Sequence, residues 1–275
     1  MPKNAQNLHQ PTFSHLHLGP DAESLAPARA SPESTDVDVI IKPMTDAVPT
    51  FDAVSQGLIH ITIPVGMLQC NCSIIGDPVS REALVIDPGD EVTRILELLG
   101  RHKLTVKAIV STHAHIDHVG GLSKLRQYTG APILMHRDDL PLYQGMEVQA
   151  AFLGVATPEI TDVDQLLKEG DALSWGSFEA SVIHTPGHTP GSVCLYVPKD
   201  SGAVAIAVPR LFAGDTLFAG SIGRTDLWGG SMDQITDSLR GKLMQLPDDT
   251  IVYPGHGRLT SIGQERNTNP FLIHT

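Results

Sequence analysis

The sequence predicts an α/β fold in four layers, helix–sheet–sheet–helix. Three observations predict it. Short apolar runs of the kind that form buried strands recur through both halves of the chain. Helical spacings fall between the runs of the first half and return near the end. Polar residues flanked by glycine stand directly after several runs, where open α/β folds place ligand chemistry. Two sheets stacked face to face, with helices over the outer faces, bury both sides of every strand.

The elements follow in order. Residues 1–56 carry Pro11, Pro20, Pro27, Pro32, Pro43 and Pro49, many Ser and Ala, and no sustained periodicity. They read as a disordered or extended segment. Val37–Ile41 is a candidate short strand, and His9, His15 and His17 are read as solvated tail. Residues 57–275 form the predicted catalytic domain. Leu58–Ile63, Cys70–Ile75 and Ala83–Ile86 read as strands, and Asp87-Pro88-Gly89-Asp90 stops the third. Val92, Ile95, Leu96, Leu98 and Leu99 have helical spacing. Ala108-Ile109-Val110 is a buried strand, and Gly120-Gly121 opens a helix to Tyr128. Pro132–Met135 is a short strand, and residues 138–152 are helical and cover an opening. Trp175, then Phe178–His184, Val193–Val197 and Ala203–Phe212 supply the second set of strands. Met232–Leu246 shows a helix face, Ile251–Tyr253 is the last strand, and Ser261 through Gln264 has the capping-box form that starts a short helix.

Composition bounds the function. A hydrophobic share of 41% and a charged share of 18% describe a chain with a sizeable core. No apolar run approaches the roughly 20 residues of a membrane span, and no secretory signal is visible. Three cysteines in 275 residues fit a reducing cytoplasm. Cys70 and Cys72 are read as core filling. Thirty-one acidic against 19 basic residues, a net charge of -12, argue against nucleic-acid binding. The sequence is compatible with a homo-oligomer and does not fix the state.

The chemistry gathers at Thr112-His113-Ala114-His115-Ile116-Asp117-His118, directly after a strand. Imidazole and carboxylate suit zinc and related ions. On extended backbone residues two apart point the same way, so His113 and His115 can grip one ion. The turn into the helix re-aims Asp117 and His118 toward a second. Three later residues sit equally after strands: His188 in Pro186-Gly187-His188-Thr189-Pro190-Gly191, Asp215 in Ala213-Gly214-Asp215-Thr216, and His256 in Pro254-Gly255-His256-Gly257. No Gly-x-Ser-x-Gly nucleophile elbow competes with a metal centre.

These segments, in this order and spacing, resemble the metallo-β-lactamase superfamily, and within it the compact glyoxalase II (hydroxyacylglutathione hydrolase) type of thioesterase. The resemblance runs from about Leu58 to Phe271 and implies the superfamily's α/β/β/α sandwich. It implies that His113, His115 and His188 bind one metal ion, that Asp117, His118 and His256 bind another, and that Asp215 bridges them. Asp117 and Asp215 are the expected catalytic residues. Asp87 would orient ligands from behind. The implied cofactor is a pair of divalent ions, zinc first, with iron or manganese as alternatives. The implied reaction is thioester hydrolysis by a hydroxide between the metals, on substrates such as S-lactoylglutathione. The expected partner is thus a small acyl thioester, glutathione-derived by resemblance. Alternatives within the fold are a persulfide dioxygenase-like mononuclear iron oxygenase and a lactonase- or β-lactamase-like hydrolase. A non-catalytic binding module is a third class. One departure stands out: only a short segment follows His256, where long glyoxalase II enzymes add a helical domain that recognises glutathione.

Weaker candidates complete the reading. Arg224 can pair a substrate carboxylate or brace its loop against Asp226. Tyr253 is a candidate substrate contact, with strand packing as its rival. His184 reads as a hydrogen-bonded core histidine, and Trp228 as a candidate for the pocket rim.

Overall fold

The structure, a computed structural model, describes residues 51–55 and 57–273. The predicted disordered segment, the Val37–Ile41 strand and His9, His15 and His17 therefore lie outside the described residues, apart from Phe51–Ser55.

The first sheet has seven strands: β1 (Phe51–Ser55), β2 (Leu58–Val65), β3 (Cys70–Gly76), β4 (Glu82–Ile86), β5 (Thr105–Val110), β6 (Ile133–His136) and β7 (Gln165–Leu167), side by side in chain order. The β1 to β4 pairings are antiparallel; β4 to β7 run parallel. Helices α1 (Val92–Arg101), α2 (Ile116–Val119) and α3 (Leu122–Thr129) make the crossovers. Next come α4 (Leu140–Gln144) and α5 (Met146–Leu153).

The second half builds β8 (Ala172–Trp175), β9 (Phe178–His184), β10 (Val193–Val197), the ribbon β11 (Asp200–Ser201) and β12 (Val204–Ala205), β13 (Arg210–Gly214), and the ribbon β14 (Leu217–Phe218) and β15 (Ser221–Ile222). After α6 (Met232–Gly241) come β16 (Ile251–Pro254), β17 (Thr260–Ser261), α7 (Ile262–Thr268) and α8 (Pro270–Ile273). The second sheet runs β17-β16-β13-β10-β9-β8.

Three hydrophobic clusters account for four layers. Alternate strand residues point to opposite faces. In β4, Ala83 and Val85 face the cluster under α1 and α3, while Leu84 and Ile86 face the cluster between the sheets. Trp175, Phe178, Val182, Leu195 and Phe212 fill that middle cluster from the second sheet. Cys194, Leu211 and Val252 point the other way, against Ile235 and Leu239 of α6 and Ile262 of α7. Ser261 caps α7 as the capping-box pattern predicts, accepting the Gln264 N–H at 3.2 Å.

Several expectations need correction. The sheet starts at Phe51, ahead of the predicted start at 57, because β1 adds to β2 by backbone pairing. Ala203–Phe212 is not one strand. Pro209 lacks the N–H a ladder needs, so a two-residue ribbon strand precedes it and β13 follows. The predicted 138–152 helix is interrupted at Gly145 and entered through a 3₁₀ turn at Arg137–Asp139. Helix α6 stops at Gly241, and Leu243–Gln245 form a 3₁₀ turn. Ile251–Pro254 is not last, since β17 pairs with it. Among the described residues no helix is long and apolar enough to cross a membrane.

Candidate metal centre

Six chain segments deliver polar side chains to one end of the sandwich, each just past the C-terminal end of a strand. Asp87 follows β4, His113 to His118 follow β5, Asp139 follows β6, His188 follows β9, Asp215 follows β13, and His256 follows β16. The one-turn helix α2 carries Asp117 and His118, with His115 at its extended N-cap position. This turn replaces the loop expected there, and it swings Asp117 and His118 away from His113 and His115. Backbone must pass close to backbone to allow it. A Cβ at Gly89 would collide with the Asp117 carbonyl, and one at Gly255 with the Asp215 carboxylate and the His118 ring.

The seven predicted side chains converge in two groups. In the first, His115 Nδ1 lies 3.1 Å from His113 Nε2 and 2.9 Å from His188 Nε2. In the second, His256 Nε2 lies 3.2 Å from His118 Nε2 and 3.1 Å from Asp117 Oδ2. Asp215 stands between them. Its Oδ2 is 3.6 Å from His188 Nε2 and 3.7 Å from His256 Nε2, and its Oδ1 is 3.5 Å from His118 Nε2. Nitrogens 2.0–2.1 Å from a tetrahedral zinc sit roughly 3.3 Å apart. The observed spacings bracket that value, so both groups are sized to hold an ion.

The bonds behind the rings show which nitrogen points inward. His118 Nδ1 donates to Asp87 Oδ2 at 3.0 Å, His188 Nδ1 to the Arg224 carbonyl at 2.8 Å, and His256 Nδ1 to the Leu68 carbonyl at 3.0 Å. The Thr112 hydroxyl spends its proton on Asp87 Oδ2 at 2.6 Å, so it accepts from His113 Nδ1 at 3.1 Å. Each of these four rings therefore turns an Nε2 lone pair into the centre. Lone pairs facing one another at 3.2 Å repel unless a cation lies between them.

Electrostatics agree. Burial, then the neighbouring rings, hold His113 well below the ordinary imidazole range, and burial pulls His115 down to about 3. Burial alone would raise the Asp117 carboxyl, but His118 and His256 hold it well below the ordinary range. Burial also opposes charge on His118, yet Cys70, Asp117 and Asp215 together raise it. Two buried atoms, His115 Nε2 and Asp215 Oδ1, have no hydrogen-bond partner. Inward lone pairs, the Asp117 carboxylate and an unpartnered Asp215 oxygen between the two groups together fit a divalent pair.

The sequence reading missed two residues. The fully buried Asp139 accepts from Ala114 N at 2.8 Å, Thr189 Oγ1 at 2.8 Å and Gly191 N at 2.6 Å, so one carboxylate ties the His113–His115 loop to the His188 loop. Gln149 of α5 accepts from Ile116 N at 2.9 Å and donates to the Ala114 carbonyl at 3.0 Å. Asp139 was findable, since it stands just past β6. Gln149 carried no signal beyond its helical spacing.

The weaker candidates divide. Arg224 lines the cleft, but two bonds of 2.8 and 2.9 Å clasp it to Asp226. Tyr253 does not line the cleft. It stacks on Phe212 at 5.2 Å and meets His60 at 4.3 Å, because alternation along β16 turns it between the sheets. His184 donates to the Pro190 carbonyl at 2.9 Å and stacks on His136. Trp228 stands on the rim, edge to face with His115.

Comparison with known proteins shows what the chain is similar to. A family model described as the metallo-beta-lactamase superfamily matches residues 65–256. The hydroxyacylglutathione hydrolase GloC of Haemophilus influenzae is 37% identical over 212 residues, which cover 76% of this chain and 96% of GloC. Among solved structures, BLEG-1 B3 metallo-beta-lactamase superposes with a TM-score of 0.71 at 37% identity, over 78% of this chain and all of that one. TTHA1623, solved in a di-iron-bound form, gives 0.67 at 38% identity over 77% and 99%. ETHE1 from Myxococcus xanthus gives 0.64 at 28% identity over 78% and 88%.

Proposed function

The chain belongs to the metallo-beta-lactamase superfamily, and from that premise we propose that it is a dinuclear metal-dependent thioester hydrolase. The observation that carries the proposal is the second group. His118, His256 and Asp117 are as complete as the first trio, with donor atoms 3.1 to 3.7 Å apart, and Asp215 reaches both. In this reading His113, His115 and His188 hold one ion, Asp117, His118 and His256 the other, and Asp215 bridges. Zinc suits the nitrogen-rich donor set.

A divalent pair supplies a low water pKa and polarisation of a carbonyl oxygen. The chain's own residues do the rest. Asp87 and Thr112 hold the rings in register, and the Leu68 and Arg224 carbonyls do the same for His256 and His188. Asp117 lines the cleft as an anion, placed to hold its ion and to orient an attacking water by accepting a hydrogen bond from it. A thiolate, with a pKa near ~8.5, leaves without a strong acid. The likeness to GloC supports a glutathione-derived thioester as the first substrate to assay.

The rival, a mononuclear iron oxygenase, needs only His113, His188 and Asp215. One experiment separates the two: metal analysis of the purified protein, thiol release from S-lactoylglutathione, and an oxygen electrode. About two ions per chain and thiol release without oxygen uptake support the hydrolase. One iron with oxygen uptake sinks it. Asp215→Ala should keep the fold and lower thiol release at least ~100-fold, as expected when several kcal/mol of charge stabilisation are lost.

A further inference from the structure

Around the centre, the walls of the cleft are apolar and stand out into solvent. One lobe of about 320 Å³ has His115, Asp117, His188, Asp215 and His256 at its floor and Leu68, Phe152 and Trp228 in its walls. A second lobe, also about 320 Å³, lies on the other side of Asp117, walled by Met67, Leu153 and Val155. Leu68, Ile116, Asp117 and Leu153 line both, so the lobes meet over the carboxylate that belongs to the centre.

The exposures are large for such side chains. Met67 is 69% exposed, Phe152 63% and Leu68 42%. Scattered exposed apolar residues need no explanation, but a contiguous set rimming a cleft marks a binding site. These residues are also held in place. Gln69 N donates to the Gly66 carbonyl at 3.2 Å, closing the turn that carries Met67 and Leu68, and the Leu68 carbonyl accepts from His256. Phe152 meets Trp228 edge to face at 5.4 Å, and Trp228 meets His115 at 5.9 Å. The rim is thereby tied to rings of both groups.

Charge points the same way. Asp90 and Asp117 line the second lobe. Among the described residues lining either lobe, Arg224 is the one lysine or arginine, and Asp226 already occupies its fork. A thioester arm rich in carboxylates finds no uncommitted lysine or arginine on this rim, whereas a hydrocarbon arm meets Met67, Leu68, Phe152 and Trp228.

We propose that the preferred substrate carries an apolar acyl group, a straight hydrocarbon chain of medium length, laid along this rim. The proposal rests on the thioester hydrolase reading and goes beyond it by naming the acyl class. Each methylene buried on binding is worth about fourfold. Burial along an open rim is partial, so the gain over the series is smaller than full burial gives.

The test uses the metal-loaded full chain and S-acyl thioesters of one small neutral thiol, N-acetylcysteamine, from acetyl to octanoyl, with kcat/KM read from thiol release. We expect kcat/KM to rise roughly ten- to a hundredfold along the series. Thiol release equal for all chain lengths overturns the acyl assignment and leaves the hydrolase reading intact. No thiol from any member, nor from S-lactoylglutathione, overturns the hydrolase reading itself. Phe152→Ala and Met67→Ser change exposed side chains and should pull the octanoyl-to-acetyl ratio toward one. An unchanged ratio in both variants overturns the rim as its cause.

Discussion

Asp139→Ala is the sharpest test of how the centre is held. The carboxylate is fully buried and receives three donors, two of them backbone N–H groups. Thr189 Oγ1 keeps Ser192 Oγ as an alternative partner at 2.7 Å. Ala114 N and Gly191 N are left with no acceptor. At about 1–3 kcal/mol for each buried donor left unmade, the gross loss is roughly 2–6 kcal/mol. Burial pushes the Asp139 carboxyl up, so removing it also relieves a desolvation cost. A net loss of roughly 2–4 kcal/mol follows, or roughly 5–15 °C in Tm for a domain of this size. The two loops it joins carry His113, His115 and His188, so affinity for the ion of that trio should fall about 10- to 100-fold, as for other partners behind metal ligands. The Asp117, His118 and His256 trio should keep its affinity. Zinc titration against a competing chelator resolves the two sites, and calorimetry gives Tm. If Asp139→Ala binds both ions as the parent does, the carboxylate is not what positions the loops, and the reasoning fails.

Other expectations follow from the same contacts. Asp87→Asn places an amide NH2 either against the Thr112 backbone N–H or against both the Thr112 hydroxyl and His118 Nδ1–H, and zinc affinity at the His118 trio should drop about 10- to 100-fold by chelator competition. Burial raises the Asp139 carboxyl above its ordinary value of 3.8. Its protonated form therefore adds stability that is complete below pH 3.8 and is lost as pH rises through the folded value. Asp139→Asn, neutral at every pH, should show a flatter stability profile from pH 3.8 upward in urea melts. Adding zinc to metal-free protein at 100 times Kd should raise stability by about 2.7 kcal/mol per site, and a Tm insensitive to zinc would contradict a metal centre. Burial pushes Cys70 up to about 12 and Cys194 up to about 11, and raises Cys72. Since the thiolate is the nucleophile, iodoacetamide at pH 8 should label none of the three in the native protein and all three in guanidinium. Native labelling would show that these strands open.

Much of this was legible because strand ends leave a clear trace. An apolar run followed by a glycine and a polar residue picked out Asp215 and His256 as candidates, although Gly76-Asp77 after β3 has the same form and Asp77 only caps a turn. The layers were legible because β2 through β4 are apolar and buried along nearly their whole length, as strands covered on both faces must be. What escaped had no such trace. Strand β7 is three residues long and at the sheet edge, where pairing rather than its own pattern makes it extended. Residues 203–212 are apolar but for Arg210, and the cost of Pro209 within a ladder divides them. Tyr253 was weighed as a substrate contact because it stands three residues before His256. A strand's two-residue period decides its direction, and it points between the sheets.

Helix α5 has a consequence for anyone who would redesign what this protein accepts. Gln149 and Phe152 are three residues apart, so one helical turn both grips the loop between His115 and Ile116 and forms a wall of the cleft. The wall and the grip move as one rigid piece. Swapping the whole helix to recruit a new molecule would disturb the ion-binding residues. Libraries should instead diversify positions 148 and 152 and leave 149 alone.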